Sequence, residues 1–139
     1  MKKILWHKLF NDVKFKYYTE SKKATLSPFN LAMIIYPNLT KKKFSQISNV
    51  LKKNLNIKKN YNFLDFGSGN GAFLLFFLKK TKKLYSMEIS KPLINFQKKY
   101  LTKTKFFLTN SFNVNFFKKL KNDEVDVTLS CSVFHYFYS

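Results

Sequence analysis

Apolar residues at Ile4, Leu5, Leu9, Phe10, Val13 and Tyr17 recur at helical spacing and predict a first helix over residues 3–18. Ser27-Pro28 reads as a second helix start, with serine as cap and proline at the first position, and Pro37 ends that helix. Thr40 caps a third helix whose apolar face is Phe44, Ile47, Val50, Leu51 and Leu55. The rhythm changes at Tyr61. "NFLDF" is a short buried strand that runs into glycines, and "GAFLLFFLKK" is a helix that is apolar nearly all round and closes with lysines, which suit its negative C-terminal end. "KLYSME" is a second strand, followed by the helix "SKPLINFQKKYL" with Ser90 as cap and Pro92 in its first turn. "TKFFLTN" is a third strand and "EVDVTLS" a fourth, after which "CSVFHYFY" turns back toward helix. Strands alternating with helices predict an α/β fold, a Rossmann-like parallel sheet with helices on its faces, preceded by N-terminal helices. The division expected is a helical segment over residues 1–60 and the sheet domain over residues 61–139, with no Gly/Ser linker and no internal repeat.

Composition narrows the class. The chain has 139 residues, 45% of them hydrophobic and 19% aromatic, so one globular domain with a real core is expected. The longest purely apolar run, Ala72 to Leu78, is too short to cross a bilayer, and "MKKILWHKLF" lacks the apolar core of a signal peptide. The single cysteine, Cys131, forms no internal disulfide, and no Cys/His cluster has metal-ligand spacing, so no metal is expected. A soluble cytoplasmic protein without a membrane partner is the resulting expectation.

The formal charge of +19 raises nucleic acid as a partner. Every basic residue, however, is lysine, and arginine is the residue that forks onto phosphate and guanine. The lysine pairs also run along the whole chain, from Lys2-Lys3 to Lys118-Lys119. A solvated lysine surface with salt-sensitive adhesion to anions is therefore preferred, and no specific nucleic acid is expected.

Against that charge, the segment from Asp65 to Gly71 stands out. It holds one of only seven acids and all three glycines, Gly67, Gly69 and Gly71, at every second position. Ligands of parallel sheets lie beyond the carboxyl ends of the strands, where the glycines, Glu88, Asn110 and Ser130-Cys131 all fall. Gly67 to Ala72 fits the dinucleotide pattern G-x-G-x-x-A, with Glu88 seventeen residues past Gly71, so an NAD-binding protein is one reading. The same letters fit D-x-G-x-G-x-G. A carboxylate at Asp65 suits a cation better than a pyrophosphate, and alternating glycines let the backbone approach a ligand closely.

"LDFGSGNG", "LYSMEIS", "FFLTNSF" and "VDVTLSCSVFHYF" together resemble class I S-adenosylmethionine-dependent methyltransferases over about residues 61–138. The resemblance implies S-adenosyl-L-methionine as cofactor and methyl transfer as the reaction. It implies that Gly67, Ser68, Gly69 and Gly71 line the methionine part and that Asp65 helps hold its amino group. Glu88 would accept from both ribose hydroxyls, since its two oxygens match a vicinal diol. Asn110 stands where the family often has aspartate against the adenine. Cys131 lies where the chain passes the methionine group, with a buried small residue as its plain alternative.

Bland readings stand beside these. Asp65 could cap the following helix, and Glu88 could be an exposed strand end. His135 in "VFHYF" reads as a packed helix residue before it reads as a base, and Trp6 and His7 read as core of the first helix before a lid. No catalytic residue is assigned, because methyl transfer needs chiefly an aligned acceptor. The family sheet has seven strands in the order 3-2-1-4-5-7-6, and only four are expected here. A truncated chain, a half-domain completed by a partner or by self-association through strand four, and a non-catalytic cofactor-binding remnant are the explanations, in that order. The acceptor expected is a small molecule, with an RNA methyltransferase as the alternative.

Overall fold

The computed structural model describes residues 27–36, 38–109, 120 and 124–131. The predicted first helix over residues 3–18, together with Trp6, His7, Pro37, Asn110 and His135, lies outside them.

Two helices precede the sheet. Helix α1 spans Pro28–Ile35, and the Ser27 hydroxyl accepts from the Asn30 N–H at 3.1 Å, as its Ser-Pro start predicts. Helix α2 spans Lys41–Asn54, and the Thr40 hydroxyl accepts from the Lys43 N–H at 3.2 Å. Its inward stripe differs from the predicted one. Phe44 and Ser48 are buried and Leu51 and Leu55 pack on the core, whereas Ile47 and Val50 are exposed. The cause is helical geometry. At about 100° per residue, positions 48, 51 and 55 lie within about 40° of Phe44, whereas position 47 is about 60° away and position 50 about 120°. Hydrophobicity alone misplaced the stripe.

Strand β1 is Asn62–Phe66, helix α3 Ala72–Phe77, β2 Lys83–Glu88, α4 Lys91–Lys98, β3 Thr104–Leu108 and β4 Val127–Ser130. The four strands form one parallel sheet in the order β3-β2-β1-β4. The chain runs outward from β1 through β2 to β3, then returns to the other side of β1. The order therefore reverses between β1 and β4, and such a reversal opens a crevice at the carboxyl ends.

Side chains alternate across the sheet. On one face, Phe63, Leu84 and Leu129 pack with Leu74 and Phe77 of α3 and Leu101 after α4. On the other, Leu64, Tyr85, Met87 and Phe107 cluster together. Helix α1 joins this core through Leu31 and Ala32, which meet Phe44 and Ala72.

Helix α3 is shorter than predicted and ends at Phe77. Lys80 acts at that end as the dipole argument requires, its Nζ donating to the Phe76 carbonyl at 2.8 Å above the Phe76 ring. Strand β4 is also shorter than "EVDVTLS". Its first residues are taken up in a clamp on β1 rather than in the ladder. The Asn62 N–H donates to Asp126 Oδ2 at 2.6 Å, and the Asn62 side chain donates to the Glu124 carbonyl at 2.9 Å. Glu124 also accepts from the Tyr85 hydroxyl at 2.9 Å and pairs with Lys105 at 3.3 Å.

Candidate functional site

The crevice is built around residues 67–71, which link β1 to α3. All three glycines have positive φ, at 71°, 55° and 80° for Gly67, Gly69 and Gly71. Gly71 caps α3 without a side chain, and its packing allows none. A Cβ there would lie 2.9 Å from Tyr100 Oη, 3.0 Å from Leu101 Cδ1 and 3.2 Å from Gln97 Cγ. The loop starts fastened to the end of β2, with the N–H groups of Gly67 and Ser68 donating to the Met87 carbonyl at 2.9 and 3.1 Å.

Two carboxylates sit at this loop. Glu88 ends β2, nearly buried, and its oxygens collect three backbone donors. Oε2 accepts from Gly69 N–H at 2.8 Å, and Oε1 from Ile89 and Ser90 N–H at 2.8 and 3.0 Å. Burial raises its pKa, and those three N–H groups oppose the rise. Asp65 is one residue from the end of β1, paired with Ser86 and Leu129 in the ladders, and is also buried. Among the described residues no donor holds its carboxylate. Burial first, and the charge of Glu88 second, push its pKa from the ordinary 3.8 up to about 8.

The structure thus brings Asp65, Gly67, Ser68, Gly69, Gly71 and Glu88 into one place. Ser68 turns its side chain beneath the loop, where its hydroxyl lies 2.7 Å from that of Ser86. Cys131 follows β4 at the same end of the sheet and is half-buried. Asn110 lies outside the described residues.

Four residues that sequence reasoning missed also shape the site. Asn70, fully buried, donates from Nδ2 to the Leu31 carbonyl at 2.5 Å and ties the loop to α1. The Tyr100 hydroxyl donates to the Asn70 carbonyl. Gln97 donates to the Gly69 carbonyl at 2.7 Å and, with Ser86, backs the loop from α4 and β2. The available signal was polarity out of place. Ser86 interrupts an apolar strand, and Gln97 shares an inward helix face with Leu93 and Ile94.

The site offers acceptors with few charges to meet them. Asn70 Oδ1 and Ser130 Oγ, both buried, have no hydrogen-bond partner among the described residues. Asp65 and Glu88 place two carboxyl groups close enough to interact at this loop, in a chain of charge +19. Those carboxyl groups fit a ligand carrying a positive charge and hydroxyl or amino donors, and fit a pyrophosphate poorly. Among the described residues no group of His, Cys, Asp and Glu could hold a metal ion. Nor is any described helix long and apolar enough to cross a membrane.

Comparison with known proteins agrees with this fold. The family described as "Methyltransferase domain" matches residues 64–139, more than half of the chain. The chain belongs to that family. Among solved structures, it is similar to YcgJ of Bacillus subtilis, with 14% identity and a TM-score of 0.56 over 66% of this chain and 40% of that one. It is similar to an S-adenosylmethionine-dependent methyltransferase from Aquifex aeolicus, with 19% identity and a TM-score of 0.54 over 66% and 51% of the two chains. It is also similar to one from Thiobacillus denitrificans in complex with S-adenosyl-L-homocysteine, with 16% identity and a TM-score of 0.50 over 88% and 45%. These likenesses establish the Rossmann-like methyltransferase fold, and the chain spans between 40% and 51% of the length of these three structures. No curated protein matches the chain in sequence.

Proposed function

We propose that the crevice binds S-adenosyl-L-methionine and that the protein transfers its methyl group to a small-molecule acceptor. The observation that carries this reading is Asp65, a buried carboxylate with no donor among the described residues, beside Glu88 and beneath three positive-φ glycines. Burying an unpaired carboxylate costs free energy, and a cationic ligand offsets that cost. Asp65 would take the amino group of the methionine part and Gly67, Gly69 and Gly71 its backbone-facing side, with Cys131 nearby at the end of β4. Glu88 spends three acceptor positions on backbone N–H groups, and a carboxylate has about four, so capacity remains for a ribose hydroxyl. When bound, the cofactor supplies a methyl group activated by its sulfonium, and the protein has chiefly to align the acceptor.

The absence of arginine supports a small acceptor over RNA. Lys52 and Lys53 close α2, Lys58 and Lys59 precede β1, and Lys79, Lys80, Lys82 and Lys83 lead into β2. Burial first, and the charge of Lys52 second, lower the Lys80 pKa. These lysines lie toward the amino ends of the strands, whereas Lys91 opens α4 beside Glu88 at the carboxyl end, so lysine is not confined to one side. Among the described residues β4 is the last strand of the sheet, and a further strand from a partner or a second copy could pair with it. A cytoplasmic setting fits the single cysteine.

Incubation of the protein with methyl-labelled cofactor and a cellular extract tests the reading. Label in the small-molecule fraction, insensitive to ribonuclease and lost in Asp65→Asn, is the expected result. Label in RNA would replace the small acceptor with the RNA alternative. Binding of the cofactor without any transfer would leave a cofactor-binding protein that is not an enzyme.

A further inference from the structure

The central glycine of the loop is gripped on both sides of its residue. Its N–H donates to Glu88 Oε2 at 2.8 Å, and its carbonyl accepts from Gln97 Nε2 at 2.7 Å. Gln97 is fully buried, so this amide has no water to exchange with. The Gly69 carbonyl can only accept, so it fixes which way the amide faces. The Ser86 hydroxyl donates to Gln97 Oε1 at 2.7 Å, and Gln97 Nε2 also donates to Ser68 Oγ at 2.9 Å. Ser86 has then spent its one proton, so the 2.7 Å contact between the two serines must be a donation from Ser68. The ring Ser68 to Ser86 to Gln97 to Ser68 closes in a single direction, and the second Nε2 proton is left for Gly69. Turning the amide over would reverse the ring, since either serine can donate, but would set its oxygen against the Gly69 carbonyl.

We propose that Gln97 is a positioning residue that sets the peptide carrying the Gly69 carbonyl, and through the Gly69 Cα that joins it to the preceding peptide holds the Gly69 N–H and the Glu88 carboxylate in the orientation that receives the cofactor. Its part in cofactor affinity rests on the S-adenosylmethionine reading above, whereas its grip on the loop does not. Gln97 does this from α4, a helix with no expected contact to the ligand. At φ 55° the Gly69 backbone has few steric restraints of its own, so the two side-chain bonds decide its orientation.

The test compares Gln97→Met with Ser86→Ala in the full chain, by hydrogen exchange at the Gly69 amide and by equilibrium binding of S-adenosyl-L-methionine. Gln97→Met keeps the volume and removes both donors. Ser86→Ala opens the ring yet leaves the bond from Gln97 to the Gly69 carbonyl. A merely structural role predicts that both variants shift exchange and affinity in step with their loss of thermal stability. Positioning predicts at least about tenfold faster exchange at Gly69 and about tenfold weaker binding in Gln97→Met, the loss of one buried hydrogen bond. Ser86→Ala then stays within about twofold of wild type on both measures at a comparable stability loss. Unchanged Gly69 exchange in Gln97→Met overturns the proposal. Should Gln97→Met fail to fold, Gln97→Asn keeps a polar amide in the pocket but is one methylene too short to reach Gly69, and the same outcomes apply. If the wild type binds no cofactor, the cofactor reading fails, and the exchange at Gly69 alone still decides whether Gln97 holds the loop.

Discussion

Cofactor binding at Asp65 should release a proton, and the affinity should therefore rise with pH. In the free protein burial holds the Asp65 pKa at about 8, so at neutral pH the group is mostly protonated. A cationic ligand favours the carboxylate, and binding then includes removal of that proton. For one such group the apparent Kd exceeds its plateau by a factor of one plus ten to the power of the pKa less the pH. Relative to the alkaline plateau, binding is weaker by about 100-fold at pH 6, about tenfold at pH 7 and about twofold at pH 8. Calorimetry at these pH values, in buffers of different ionisation enthalpy, reads both the affinity and the number of protons released. Glu88, Tyr100 and, at the end of β4, Cys131 are the other titratable groups among the described residues at the site. Burial raises the Glu88 pKa, so a slope steeper than tenfold per unit would mean that it also gives up a proton, whereas burial moves Tyr100 further above this range. Asp65→Asn should bind weakly with a flat profile. The same shift acts on stability in the opposite sense. An acid whose pKa is raised on folding holds a proton that the unfolded chain has released, so stability falls as pH rises from about 4 to about 8. Each unit of that window costs at most about 1.4 kcal/mol, and water entry lowers the figure. Asp65→Asn should therefore be more stable than wild type at pH 8 and nearly equal to it at pH 4. A wild-type affinity that is flat between pH 6 and pH 8 would refute the argument that Asp65 meets the cation.

Two other substitutions follow from the geometry of the loop. Gly71→Ala forces a side chain into the left-handed region and against Tyr100 and Leu101, which should cost about 2–4 kcal/mol and lower Tm by roughly 10 °C in a thermal melt. Glu88→Gln keeps one acceptor oxygen but introduces donors where three N–H groups converge. Cofactor affinity should fall by about tenfold or more in equilibrium binding, and an unchanged Kd would remove Glu88 from the ligand contacts.

Much of the fold was legible because each element carried a local signal. "KLYSME" coincides with β2, and Ser27, Thr40 and Ser90 cap the helices they were expected to cap. The loop was legible as a turn because three glycines in alternation follow a strand, and all three have positive φ. What escaped depended on partners far apart in sequence. Ile47 and Val50 are as apolar as their neighbours, and only the packing of α2 shows that they miss the core. Glu124 and Asp126 read as strand residues, yet their clamp on Asn62 is visible only once β4 is placed beside β1. Gln97 lies 28 residues from the Gly69 carbonyl it holds, and Asn70 lies 39 from the Leu31 carbonyl that anchors it. Polar residues inside a core state that a partner exists, but periodicity does not name it.

Equilibrium binding of S-adenosyl-L-methionine to the purified chain, with NAD as the competing ligand and at moderate salt, tests the central claim most directly. The account predicts saturable one-to-one binding of S-adenosyl-L-methionine that NAD does not displace and that Asp65→Asn weakens. A folded, monodisperse chain that bound NAD in preference, or bound neither, would contradict it.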